Sequence, residues 1–301
     1  VMAEPTLDDT MPDVERLEWA IKAAVEVEFV KIPFAVMVKL AATLREHNFH
    51  VCVKGRCTGD TFHCMDICGP EDNALLGCAI DIGTTTVTMV LTDLTSGKLL
   101  AKGSSGNGQI RYGADVINRI IESGRPGGKA KLQNAILKET LNPIIANLCK
   151  TAGVNARSIL RLSIGANTTM NHLFVGVDAE PVRMEPYIPS FFSWEGLLAG
   201  DLKLPANPLA PIVIAPNIGS YVGGDITAGT LAAGIWDKDA AFSKGLTACA
   251  KLPTFTAGDK QVQMSGFGGF KLVGVKPQTD SDKLTFCHLV ADYLTSEEMQ
   301  T

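Results

Sequence analysis

An apolar strand that runs into Asp81-Ile82-Gly83-Thr84-Thr85-Thr86 and resumes as a second apolar strand at Val87 constrains this chain more than any other stretch. Leu76–Asp81 and Val87–Asp93 each carry the short apolar pattern of a buried strand. Between them stand an acid, a glycine and three hydroxyls. A phosphate-binding turn needs such parts: backbone N–H groups and hydroxyl donors aimed at oxygens, with no bulky side chain in the way. Asp81 would then lie beside the phosphates, holding hydrated Mg²⁺ or orienting water. The competing reading is a polar hairpin turn, for which Gly-Thr is common.

Two further runs have related chemistry. In Gly165-Ala166-Asn167-Thr168-Thr169-Met170-Asn171-His172 a strand expected over Leu160–Gly165 turns into a helix, with Asn167 or a threonine at its start. Asn167, Thr168 and Thr169 are candidate phosphate contacts; plain N-capping explains the same residues. In Pro216-Asn217-Ile218-Gly219-Ser220-Tyr221-Val222-Gly223-Gly224-Asp225 a glycine-rich turn enters a small-residue helix expected over 223–236. Gly223 and Gly224 allow close backbone approach. Asp225 is either a first-turn acid favoured by the helix dipole or a second active-site carboxylate beside Asp81.

Around these runs the pattern is strand, strand, strand (Lys98–Gly103), helices over 113–122 and 129–152 split by Gly124–Gly128, strand, helix, an irregular Pro-rich stretch from 181 to 211, and strand Ile212–Ala215. Such alternation is an α/β layered domain. Ahead of it, helical periodicity over 14–27 and from Pro33 to about 47, followed by two strands near 50–54 and 61–66, forms a small α/β module at 13–70. Residues 1–12 are expected to be a disordered lead-in.

Charge and composition narrow the function classes. The formal charge is −5 without a long basic block, which argues against a nucleic-acid groove or an anionic membrane surface. The apolar runs fall short of the roughly 18 residues of a spanning helix. The acidic Val1-Met2-Ala3-Glu4 lacks a secretory layout, so a cytoplasmic location is expected. Of eight cysteines, Cys52, Cys57, Cys64 and Cys68 cluster with the spacing C-x4-C-x6-C-x3-C. That spacing fits neither paired zinc knuckles nor plant-type iron–sulfur loops. Strand alternation sends these thiols to faces set by packing, and no stoichiometric metal is expected there.

Taken together, Ala79–Val87, Gln109-Ile110-Arg111-Tyr112-Gly113-Ala114-Asp115-Val116-Ile117-Asn118-Arg119-Ile120, Asn167–Phe174 and Pro216–Asp225 resemble, in order and spacing, the start of the actin-like ATPase domain of the reductive activators of corrinoid proteins. Residues 13–68, including Leu44–Phe49 before a strand, resemble that family's middle domain. The resemblance implies a ribonuclease-H-like lobe over 75–236, with ATP and Mg²⁺ as cofactors. It also implies a corrinoid protein of a methyltransferase system as partner and reduction of cobalt(II) to cobalt(I) as the activity. The iron–sulfur cluster of the family belongs to an N-terminal domain with no counterpart in this sequence. The family's second lobe, with its own Asp-x-Gly loop, has none after Trp236 either, so the chain reads as an incomplete fragment. Oligomeric state stays open between monomer and homodimer.

Residues 237–301 resemble something else. Lys251–Phe255, Gln261–Val275 and Leu289–Gln300 are similar to a segment of extracellular sugar-type solute-binding proteins, with a join near Gly234–Asp237. A chimeric chain is the expectation, in which protease cuts first between Trp236 and Gln263. The competing functions are a small-molecule kinase of the actin-like superfamily, for which no substrate acid can be placed, and a solute-binding protein fragment.

Overall fold

The computed structural model describes residues 1–220 and 222–228, together with the backbone of the strands Thr254–Ala257 and Lys260–Gln263. Contacts divide the chain into two units, Val1–Asp225 and Ile226–Thr301. Within the second, the two strands pair antiparallel, with Val262 opposite Phe255. The expected proteolytic segment and most of the solute-binding resemblance lie outside the described residues.

The first unit begins with the small module. Helix α1 (Asp13–Val25) buries Leu17 and Ile21, carries Asp13 and Glu15 in its first turn, and stops at a left-handed Glu26 whose N–H returns to the Lys22 carbonyl. Strand β1 (Phe29–Lys31) follows. Helix α2 (Phe34–Glu46) starts directly after Pro33 and buries Val36, Leu40 and Leu44 at four-residue spacing. Strands β2 (Cys52–Thr58) and β3 (Thr61–Cys68) form the expected hairpin. β1 pairs parallel to β3, giving the order β1-β3-β2. The helices cover this sheet with Leu17, Val36, Leu40, Leu44, Phe62 and Ile67 in one core.

The lead-in, expected to be disordered, has no regular structure but is held. The N–H of Met2 donates to the Phe49 carbonyl. Arg16, buried on α1, donates to Asp9 at 2.8 Å and to the Ala3 carbonyl at 3.2 Å. A buried guanidinium requires acceptors, and residues 3–11 supply them.

The larger layer is a sheet of order β6-β5-β4-β7-β8 among the described residues. Its strands are β4 (Leu76–Ile82), β5 (Thr86–Asp93), β6 (Leu99–Gly106), β7 (Ile159–Ala166) and β8 (Ile212–Ile214). β4, β5 and β6 form an antiparallel meander, whereas β7 and β8 join parallel to β4. The helices between β6 and β7 are α3 (Val116–Ser123), α4 (Gly128–Ile136) and α5 (Asn142–Ala152), the last two continuous through a π turn at Leu137–Leu141. α6 (Thr168–Val175) and the short α7 (Glu180–Arg183) follow β7. Three antiparallel strands extended by two parallel ones are the ribonuclease-H-like, actin-type α/β lobe that the resemblance implies. Phe174, Leu162, Met89, Leu91 and Leu132 are fully enclosed in its core. No helix among the described residues is long and apolar enough to cross a membrane.

Candidate functional site

Parallel strands place their carboxyl ends together, and open α/β sheets bind ligands at that edge. Here β4, β7 and β8 share a direction, with Asp81 opposite Gly165, Ile82 opposite Ala166 and Ile164 opposite Ile214. The three runs singled out in the sequence, beginning at Asp81, Gly165 and Pro216, therefore emerge side by side.

The first run is both things at once: a hairpin turn between antiparallel β4 and β5, and a loop at the carboxyl edge. The N–H of Gly83 donates to the Thr86 carbonyl at 3.0 Å. A Cβ on Gly83 would lie 2.6 Å from that same oxygen, so the turn closes only around glycine. Every carbonyl of the loop is occupied. Gly83 O accepts from Asn107 Nδ2 at 2.8 Å, Thr84 O from Arg119 at 2.6 Å, Thr85 O from the Asn107 N–H at 2.8 Å, and Thr86 O from Gly83. Among the described residues no partner engages the N–H of Thr84 or Thr85. The loop thus turns its electron-rich atoms into the protein and leaves donors facing out, with the exposed Thr85 and Thr86 hydroxyls beside them.

The second run caps a helix and also reaches the first. Asn167 Oδ1 accepts from the Met170 N–H at 2.9 Å, and its Nδ2 donates to Thr84 Oγ1 at 3.3 Å. Thr168 and Thr169 are buried. The Thr168 hydroxyl is committed to the third run, donating to Gly219 O at 2.6 Å and contacting Val222 O at 3.3 Å, so it ties loops together rather than opening to the mouth of the site. One turn further on, His172 is fixed as the neutral Nδ1–H tautomer. It donates from Nδ1 to Thr168 O at 2.7 Å and accepts the Ser190 N–H on Nε2 at 3.0 Å. Burial pulls its pKa down, keeping the ring neutral, and it stacks on Phe191 at 4.6 Å. Neither Asn107 nor His172 carried a signal of its own in the sequence.

In the third run, Gly223 packs so closely on β7's end that a Cβ there would meet Ala166 O and Asn167 Cα at 2.4 Å. Helix begins at 224, which puts Asp225 in a first turn, as one reading of the sequence had it. The charge of Asp225 also reaches Asp81. Partial burial first, and then the Asp225 charge, push the Asp81 carboxyl above the ordinary carboxylate range. Two acids sharing one site in this way suit a hydrated divalent cation, which relieves their repulsion.

A family model described as the RACo middle region matches residues 76–238, more than half of the chain. The chain belongs to the RACo family. A second RACo model, the linker region, matches residues 1–61. Residues 1–61, which hold most of the small module expected to be the middle domain, thus match the model described as the linker region, and the actin-like lobe matches the one described as the middle region. The corrinoid activation enzyme RamQ of Eubacterium limosum is 37% identical over 159 residues, which are 52% of this chain and 27% of RamQ. A solved reductive activator for corrinoid, iron-sulfur protein superposes at a TM-score of 0.68 with 38% identity, over 79% of this chain and 38% of its own. This RACo chain thus spans less than two-fifths of the length of either relative.

The cysteine cluster lies on the β2–β3 hairpin of the small module. Cys52 lies opposite Cys68 across the β2–β3 ladder, Cys57 is exposed and Cys64 is buried. Among the described residues no group of three or more His, Cys, Asp or Glu is arranged to hold a metal ion. Burial pushes the thiols of Cys64 to about 11 and of Cys68 and Cys78 to about 12, and raises Cys149. Since the thiolate is the reactive species, brief alkylation with iodoacetamide at pH 7.5 is expected to mark Cys57 first and to spare Cys64, Cys68 and Cys78. Site-resolved mass spectrometry checks this; early labelling of Cys64 or Cys78 would mean that the core of either layer opens readily.

Proposed function

We propose that this chain supplies the first nucleotide-binding lobe of an ATP-dependent activator that returns an inactive cobalt(II) corrinoid protein to cobalt(I). The observation that carries the reading is the convergence of 83–86, 167–169 and 223–225 at one sheet edge, with all the carbonyls of the first loop turned inward. A polyphosphate there meets the outward N–H groups of Thr84 and Thr85 and the hydroxyls of Thr84, Thr85 and Thr86. Gly83 lets the first turn close on Thr86 O, Gly223 and Gly224 let the third run pack against Ala166 and Ala215 at the strand ends, and Asn167 orients Thr84. Asp81, with Asp225 nearby, holds Mg²⁺ through its water shell. The metal, when bound, neutralises the phosphate charge that develops on bond cleavage. The names of the relatives supply the corrinoid partner and the reductive step. Electrons come from an iron–sulfur carrier, as in the family.

One lobe grips one side of a nucleotide. Mg·ATP is accordingly expected to bind this chain with a dissociation constant of roughly 1 μM or weaker. Asp81→Asn is expected to remove the Mg²⁺ dependence and to weaken binding at least about tenfold. Calorimetric titration decides both: submicromolar affinity overturns the single-lobe account, and an unchanged Asp81→Asn variant overturns the role given to Asp81. With a cobalt(II) corrinoid protein, a low-potential reductant and ATP, the reading expects ATP-dependent growth of the cobalt(I) absorption. Phosphoryl transfer to a small molecule in its place would make the protein a kinase.

A further inference from the structure

Arg119 is the largest fully enclosed side chain of the unit, at 0% exposure, and among the described residues no carboxylate pairs with it. Its donors go instead to neutral acceptors. Nε reaches Gly113 O at 2.9 Å and Nη2 reaches Thr84 O at 2.6 Å. Nη1 reaches Met170 Sδ at 3.3 Å and Gln109 Oε1 at 3.5 Å. The one acid acting on it from a distance is Asp115. That residue is exposed and already engaged, accepting from both the N–H and the side chain of Asn118 to start α3. Burial draws the guanidinium down to about 10, which still leaves it charged at neutral pH.

An enclosed charge without a counter-ion is costly, and proteins seldom keep one where an apolar side chain would pack as well. Peptide planarity gives this one a use. The carbonyl and the following N–H of a trans peptide point in opposite directions. Arg119 draws on Thr84 O from behind, so the Thr85 N–H points away from it, outward, and the same peptide is polarised to make that N–H a stronger donor. Asn107, bonded to Gly83 O, fixes the Thr84 N–H in the same sense.

We propose that Arg119 is the built-in counter-charge of the anion site: a positioning residue that never touches the ligand but makes the Gly83–Thr86 turn select a polyphosphate. The proposal rests on the reading of that turn as a phosphate loop and deepens it. The shared ligand chemistry is a phosphoanhydride, free or within a nucleotide. The counter-charge role also gives the run Gln109–Ile120 a place beside the loop: it brings Gln109, Gly113 and Arg119 together behind Thr84 O.

The test compares two variants of the 301-residue chain at pH 6.5, Arg119→Lys and Arg119→Gln. Each presents fewer donors than arginine, and they differ in charge. Titration with Mg·pyrophosphate and, separately, with Mg·ATP is expected to give Arg119→Lys at least about tenfold tighter binding than Arg119→Gln. Because the charge is enclosed, that ratio should persist in 0.5 M salt, where exposed charges are screened. Equal affinities for the two folded variants would make Arg119 a packing residue and overturn the proposal. A Gln variant that fails to fold is replaced by Arg119→Met under the same criterion. Wild-type protein that binds neither ligand would instead overturn the phosphate-loop reading itself. Binding of ATP without pyrophosphate would confine the site to nucleotides.

Discussion

Alanine at Gly223 is expected to abolish measurable Mg·ATP binding and to cost about 2–3 kcal/mol of stability, the upper range for forcing extra atoms into a packed site. The added methyl would meet backbone at the end of β7, Ala166 O at 2.4 Å and the Asn167 Cα and carbonyl carbon at 2.4 and 2.5 Å. No rotamer change relieves a clash with backbone, so either β7's end or the 216–225 turn must move. The turn is the weaker of the two. It is fastened by the Thr168 hydroxyl and by Asn217, whose Oδ1 accepts from Asn171 at 2.7 Å, whereas β7 is laddered on both sides. Displacing it carries Asp225 away from Asp81 and breaks the meeting of three loops on which the site depends. Gly106→Ala is the control: nothing lies within 4 Å of its added methyl. Urea unfolding beside calorimetric titration checks the pair. A Gly223→Ala protein that keeps wild-type affinity would show that the third run takes no part in binding.

How much of this was legible in the sequence depends on how far apart the interacting residues lie. Asn167 announced the start of α6 because an N-cap is a local device, complete within four residues. The β4–β5 turn was legible for the same reason, since its glycine and its acceptor are three residues apart. β1 was missed: three residues carry no periodicity, and its partner β3 lies beyond a whole helix. The small module is a different case, because a resemblance fixes which residues are alike more firmly than it fixes the bounds of a family's parts, and the linker model ends at residue 61, inside it. Arg119 had one signal that reading for charge passes over. It occupies the same helical stripe as Ile120 and Ser123, the buried face of α3. A cation inside an apolar stripe points inward and must find acceptors there, and Thr84 is one of them from 35 residues away.

The same logic of enclosed charge governs the joint between the RACo linker and the lobe, where the second large effect is expected. Lys54, on β2, is 0% exposed and donates to Asp72 Oδ1 at 2.8 Å, while Asp72 keeps 41% of its side chain in solvent. Ser158, just before β7, donates to the same carboxylate at 3.2 Å. The two partners are therefore not equivalent. Removing the acid strands an enclosed ammonium whose remaining neighbour is the Ser158 hydroxyl at 3.4 Å. Removing the lysine leaves a carboxylate that water already reaches. Asp72→Ala is accordingly expected to cost about 2–3 kcal/mol, below the upper range for a broken buried pair because Asp72 is partly solvated. Lys54→Met, which fills the same volume without a charge, should cost under about 1 kcal/mol or nothing. The hydrogen bond from Lys54 holds the Asp72 carboxyl below its usual range, and the sign of the pH effect follows. The unfolded chain takes up the proton first as pH falls, so the contribution is intact above the ordinary aspartate pKa of 3.8 and fades as pH drops through the lowered folded value. Denaturant unfolding at pH 7 and across the acid range distinguishes the cases. Wild type should lose stability below pH 4 more steeply than Asp72→Ala, and equal costs for the two substitutions at pH 7 would mean that the joint is held by packing of Met65 into the lobe's core rather than by its charge.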